Sequence, residues 1–186
     1  MLLTIQDINR VRPIAANINA KERLEPYLAE AERLRLMDVL GAPLYRWLDE
    51  TDFKTGDTFT YTRPDGTETT ITADDHDALM NGGYYAGCCG EKYSNGIVAA
   101  TAYIAYSRFI VNNPINITAF GVRYKDGEFS SRTEDNAIVR ASNDARRIGE
   151  AYFEEVTAHC SSLGLLECRP YTEAPRHIVR VGQRKL

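Results

Sequence analysis

The stretch IVAATAYIAYSRFIV, residues 97–111, carries a single charge, Arg108, and is apolar on nearly every side when wound as a helix. A helix apolar all round belongs at the buried centre of a bundle. It is also shorter than the roughly 20 apolar residues that cross a bilayer. The expected architecture is therefore mainly α, a bundle built around this segment. Working outward, Ser131 with Glu134 is spaced as the start of the longest helix, which is expected to run to roughly Ser162. Ile138, Ala141, Ala145, Ile148, Tyr152, Val156 and His159 fall close to a heptad seam. On the N-terminal side, Leu24, Tyr27, Leu28, Ala31 and Leu34 recur at three and four residues and predict one buried stripe. Asn19 and Glu22 are spaced as its cap, but Pro26 belongs in a first turn, so the regular helix is expected to begin near Glu25. Gly41 ends it, and Pro43 opens a short helix with Leu44, Tyr45, Trp47 and Leu48. Thr4 and Asp7 start a first short helix that runs to about Val11.

Between these helices the period changes. From Asp57 to Thr72, Phe59, Tyr61 and Ile71 alternate with threonines on either side of Arg63-Pro64-Asp65-Gly66. That is a β-hairpin signal. Its arms are weakly apolar, so it is expected to project from the core as an insertion. Thr72 and Asp75 start another short helix, and residues 81–95 read as a tyrosine-rich loop or a second small hairpin. Residues 117–124 read as an extended connector. The expected organisation is one helical domain, 1–164, followed by an extended basic arm, 165–186. From Arg169 onward, Arg176, Arg180, Arg184 and Lys185 stand against a single acid, Glu173.

The chain has 186 residues, 44% apolar and 26% charged, with net charge −4. This is the composition of a folded globular chain, and it provides no global basic field for nucleic acid. The opening Met1-Leu2-Leu3-Thr4 meets Gln6 and Asp7 at once, unlike a secretory leader. Cys88, Cys89, Cys160 and Cys168 are therefore expected as reduced thiols.

Residues with chemical potential are few. Asp74-Asp75-His76-Asp77 is the densest group of possible metal ligands, but consecutive helical residues point to different faces. Acids at a helix start are favoured by its exposed N–H groups in any case. The cysteines lack Cys-x-x-Cys spacing and read as small buried thiols. Gly82-Gly83-Tyr84-Tyr85-Ala86-Gly87 lacks the Gly-Lys-Ser/Thr ending of a phosphate loop. No nucleophile-elbow sequence occurs. The expectation is a non-enzymatic protein without cofactor or metal. Contacts with other chains would then come from the hairpin, through Phe59, Tyr61 and Arg63, and from the arm, through Arg176, Val179, Arg180 and Arg184. Val179 and Val181 alternate with Arg180 as a strand added to a partner's sheet would. An alternative is a small DNA-binding protein that uses the basic arm, with affinity that falls steeply with salt.

Four stretches carry a family resemblance: ERLEPYLAEAERLRLMDVLGAPLYRWL (22–48), LMNGGYY (79–85), YSNGIVAATAYIAYSRFIVNN (93–113) and ITAFGVRYKDGEFS (117–130). Together with the long last helix they resemble head–tail connector proteins of Bacteroidota tailed phages and prophages, crAss-like phages included. The resemblance covers roughly residues 20–162 and rests on packing and turn residues. It implies a structural virion protein made in the host cytoplasm and placed at the neck. Copies would form a ring, commonly of twelve, against the portal protein and neighbouring tail or ring proteins. It further implies proximity to the genomic DNA and no membrane partner. The hairpin and the basic arm have no counterpart in the resemblance.

Overall fold

A computed structural model describes residues 2–11, 20–112, 115–118, 121–124 and 135–167. Helix α6 (Gly96–Asn112) is the axis of the fold, as its apolar composition predicts: Ile97, Val98, Ala100, Ala102, Ile104, Ala105 and Phe109 are all buried. The long helix α7 (Asp135–Ser162) packs along it most extensively. The two run antiparallel. The Ser142 hydroxyl donates to the Ser107 carbonyl at 2.9 Å, and Asn95, just before α6, donates to Glu155 near the far end of α7. Gly149 permits this close approach, because a Cβ there would lie 2.8 Å from Ile104 Cδ1 and 3.2 Å from the Ala100 carbonyl. The buried stripe of α7 is Ala145, Gly149, Phe153, Val156 and Cys160. Ala141, expected on the seam, is exposed, while Phe153, which the heptad reading passes over, is fully buried.

Helix α1 (Ile5–Val11) is started by Thr4, whose N–H and hydroxyl both donate to the Asp7 carboxylate. Helix α2 (Ala20–Ala31) begins well before Glu25 and holds Pro26 inside it, which corrects the expected start. It continues without a break through a π-helical turn, Glu32–Leu36, into α3 (Met37–Leu40). That turn changes the expected stripe. Leu24, Leu28 and Ala31 are buried, but Leu34 is 56% exposed, and Glu32, Leu36 and Leu40 occupy the core side. Steps of four residues drift by roughly 40° each in an α-helix. A turn closed i to i+5 absorbs an extra residue and keeps 28, 32, 36 and 40 on one face. Gly41, at φ 76°, then lets the chain turn into α4 (Ala42–Glu50), with Pro43 in its first turn.

The hairpin of β1 (Thr58–Thr62) and β2 (Glu68–Thr72) has the register Tyr61↔Thr69 and Phe59↔Ile71. The expectation that it stands clear of the core holds on one face only. Threonines line the outer face, with Thr60 and Thr70 hydroxyls 3.3 Å apart, while Tyr61 and Ile71 are buried in the main core. Alternation decides this, since one face of a strand pair can be seated while the other stays wet. Thr72 caps α5 (Ala73–Asn81) in a reciprocal capping box with Asp75. Residues 83–94 form the second hairpin, β3 (Gly83–Gly87) with β4 (Gly90–Ser94), where Tyr84 lies opposite Tyr93. The expected connector is a third hairpin, β5 (Ile115–Thr118) with β6 (Gly121–Tyr124).

After α7, Gly164 takes φ 72° and the Leu165 N–H returns to the Cys160 carbonyl at 2.9 Å. Leu165 is buried and Leu166 packs against the core, so both belong with the bundle rather than with an arm starting at 165. Residues 168–186, and with them Arg176, Val179, Arg180 and Arg184, lie outside the described residues. No helix among the described residues is long and apolar enough to cross a membrane.

Candidate interaction surface

Of the acidic cluster and His76, three side chains are engaged in folding. Asp75 completes the α5 capping box, Asp77 accepts from the Asn81 amide at 2.7 Å, and His76 stacks on Phe53 with ring centroids 3.6 Å apart. Among the described residues no group of three His, Cys, Asp or Glu side chains converges as a metal centre. His159 is buried and stacked on Tyr85 at 4.5 Å, and its Nδ1 has no hydrogen-bond partner among the described residues. Burial lowers the pKa of both His76 and His159, with a nearby aspartate opposing it in each case.

The cysteines divide. Cys160 is fully buried, and desolvation pushes its thiol up to about 12. Cys88 and Cys89 are exposed at the tip of the β3–β4 hairpin, with their sulfurs 3.6 Å apart, so for them the expectation of buried thiols is wrong. A two-residue hairpin tip has no core to enter. The Cys89 thiol is itself raised, first by its hydrogen bond to Cys88.

Of the expected contact residues on the first hairpin, Phe59 is half-buried against Phe53 at 4.7 Å. Tyr61 is only 5% exposed and packs on Trp47 at 5.1 Å. Arg63 lies at the turn, paired with Asp65 at 3.0 Å, and its Nε has no partner among the described residues. The Thr67 N–H that donates to Asp65 holds that carboxyl below its usual range. Tyr61 and Arg63 share a groove of about 910 Å³ between the two hairpins, α7 and the α3–α4 corner. Tyr85, Cys88, Thr157 and Leu166 complete its walls, and Glu167, the last described residue, is at its edge.

Glu32, placed inward by the π turn, is 3% exposed and accepts from the Leu3 N–H (2.8 Å), the Leu2 N–H (3.2 Å) and the Tyr45 hydroxyl (2.9 Å). Burial and this carboxylate together raise the Tyr45 phenol above its ordinary pKa. One charged side chain thus ties the chain's start and α4 to the middle of a helix.

Sequence reasoning missed a second class of surface residue. Leu34, Val111 and Val139 are exposed by 56%, 42% and 50%, and Tyr84 and Tyr93 by 69% and 50%. Leu34 and Val111 line a hollow of about 480 Å³ with Ile104, Arg108, Arg146 and Glu150. Around it Arg108 pairs with Glu30 at 3.0 Å and Arg35 with Glu150. The tyrosine cluster was visible in the sequence, but its outward direction is set by strand register. Leu34 fitted the apolar stripe and gave no local warning.

Residues 36–161, well over half of the chain, match the model of DUF6712, a family of unknown function. No curated protein matches this chain, and no solved structure does.

Proposed function

The chain belongs to DUF6712, a family that brings no activity with it, and from that premise we propose that it is a structural subunit of a tailed-phage particle. In this reading it is a head–tail connector whose copies form a ring between portal and tail. The observation that supports this reading most is the pairing of a helical core with exposed apolar groups at two separate places. Leu34, Val111 and Val139 are near one end of α7, and Tyr84 and Tyr93 are near the other. Large exposed apolar groups gathered in patches mark protein contacts. A subunit with two different contact patches assembles head to tail, into a ring where the rotation between copies closes and a filament where it does not. The resemblance of residues 22–48, 79–85, 93–113 and 117–130 to connector proteins supplies the identity of the ring.

The test is the native mass by light scattering and negative-stain imaging, with and without portal protein. A closed oligomer, or co-assembly with portal, is the expected result. A chain that stays monomeric at high concentration and ignores portal would remove the ring reading. The competing reading, DNA binding through Arg176, Arg180, Arg184 and Lys185, predicts affinity for duplex DNA that drops steeply between low and physiological salt.

A further inference from the structure

A ring of identical copies repeats one contact, and the identity of that contact rests on the ring reading. On the β3–β4 hairpin the side chains divide by alternation. Tyr85 and Ser94 are buried against the bundle, while Tyr84, Ala86, Glu91 and Tyr93 are exposed on the outer face. Tyr84 and Tyr93 are directly opposite each other, edge to face at 5.2 Å, and form a raised aromatic pair with Glu91 two residues away on the same face. Aromatic side chains of this kind supply much contact area for few rotatable bonds.

The hollow at the other place is concave and partly apolar. Leu34 and Val111 form part of its wall, and Ile104 is among its lining residues. Val139, three residues before Ser142 on α7, is also exposed. About 480 Å³ lies within the roughly 300–1,000 Å³ range of hollows that take up compact organic groups. Arg146 is exposed at the rim and offers a counter-charge to Glu91. Leu34 is there because the π turn carries it outward at the expense of its burial, and π turns inserted in α-helices frequently occur at functional sites.

The two surfaces are far apart on one molecule. The hairpin meets α7 at His159, and the hollow meets it at Ser142, Arg146 and Glu150. From Arg146, in the hollow, to His159, under the hairpin, the helix rises roughly 20 Å at about 1.5 Å per residue. A chain cannot fill its own hollow with its own tyrosine pair, but a second copy can. We propose that the Tyr84–Tyr93 face of one copy seats in the hollow lined by Leu34, Ile104 and Val111 of the next. Glu91 then faces Arg146 across the junction. Each copy uses a different patch on each side, so the contact propagates.

The experiment uses two variants of the full chain, each altered on one side only: Leu34→Glu, and the double change Tyr84→Ser with Tyr93→Ser. All three side chains are exposed, and circular dichroism melts establish that both variants are folded. Wild-type chain is expected to assemble, and each variant alone to fall to the mass of a single chain. Mixed in equal amounts, the variants retain one intact hollow and one intact tyrosine face between them. The mixture is expected to give a 1:1 dimer and nothing larger. Variants that assemble like the wild type would overturn this contact and leave the ring reading standing. Variants that are monomeric yet form no dimer when mixed would overturn it too, because the two patches would then not meet each other. A wild-type chain that never assembles, with or without portal, would remove the ring reading and this contact with it.

Discussion

Replacing Glu32 is the most informative single perturbation of this fold, because a charged residue in an acidic amphipathic helix would ordinarily be a surface residue. Here its carboxylate is 3% exposed and accepts three hydrogen bonds, from the Leu3 and Leu2 N–H groups and the Tyr45 hydroxyl. In Glu32→Ala the buried Leu3 N–H is left without an acceptor, which costs about 1–3 kcal/mol. The Leu2 and Tyr45 donors are part-buried and recover water, so they add less. Against this stand the relief of a desolvated charge and the better helix propensity of alanine, up to about 0.7 kcal/mol. We expect a net loss of about 1–3 kcal/mol, most of it from the buried Leu3 donor. For a chain of this length that is a fall in Tm of roughly 2–12 °C. Glu32→Gln keeps one carbonyl acceptor and should lose about half as much, roughly 0.5–1.5 kcal/mol. The assay is urea denaturation at pH 7 with unchanged m-value, together with amide exchange at Leu3, which should quicken in both variants. A Glu32→Ala variant within about 0.5 kcal/mol of wild type, where ordinary surface substitutions fall, would refute the reasoning. So would unchanged exchange at Leu3.

Three further outcomes follow from other parts of the molecule. Gly66 and Gly96 have nearly the same φ, 83° and 82°, but a Cβ at Gly66 meets nothing within 4 Å, whereas at Gly96 it would lie 2.5 Å from the Gly82 nitrogen and 2.6 Å from the Met80 carbonyl. Gly66→Ala should therefore cost only the left-handed strain, roughly 1–2 kcal/mol. Gly96→Ala should cost about 3–5 kcal/mol with the backbone clash added, and equal losses in denaturation would show that the close approach is not rigid. Maleimide at neutral pH should label the exposed Cys88 and Cys89 in the folded chain, Cys89 the more slowly because its thiol is raised, and Cys160 only in denaturant, read by peptide mass mapping, since Cys160 is buried with its thiol pushed up to about 12. Native labelling of Cys160 at the rate of Cys88 would contradict its burial. His159 has a lowered pKa, so below about pH 6.5 the unfolded chain takes up a proton that the folded chain refuses, and stability falls as pH drops. His159→Phe, which keeps a ring against Tyr85, should lose less stability than wild type between about pH 7.5 and 5.5, the range in which a histidine titrates, and an identical loss would exclude His159 as a source.

What the residues by themselves determined is whatever local physics decides. The apolar run 97–111 can be stable only as a central helix, and α6 is that helix. Pro64-Asp65-Gly66 between alternating threonines makes a hairpin, and Thr72 with Asp75 makes a capping box. These depend on backbone preferences and hydrogen bonds within a few residues, which a single sequence contains. The tertiary structure decided which faces look inward. One residue absorbed at Glu32–Leu36 sends Leu34 to solvent and Glu32 to the core, and nothing local marks that register change. The same holds for Phe153 and Gly149 on α7, which α6 requires at its surface, and for Tyr61 and Ile71, which give the hairpin a buried side. The candidate contact surface is legible only at this level. Exposure of Leu34, Val111, Val139, Tyr84 and Tyr93 belongs to the packed molecule, because a side chain's burial is set by the elements that cover it and not by its own neighbours in sequence.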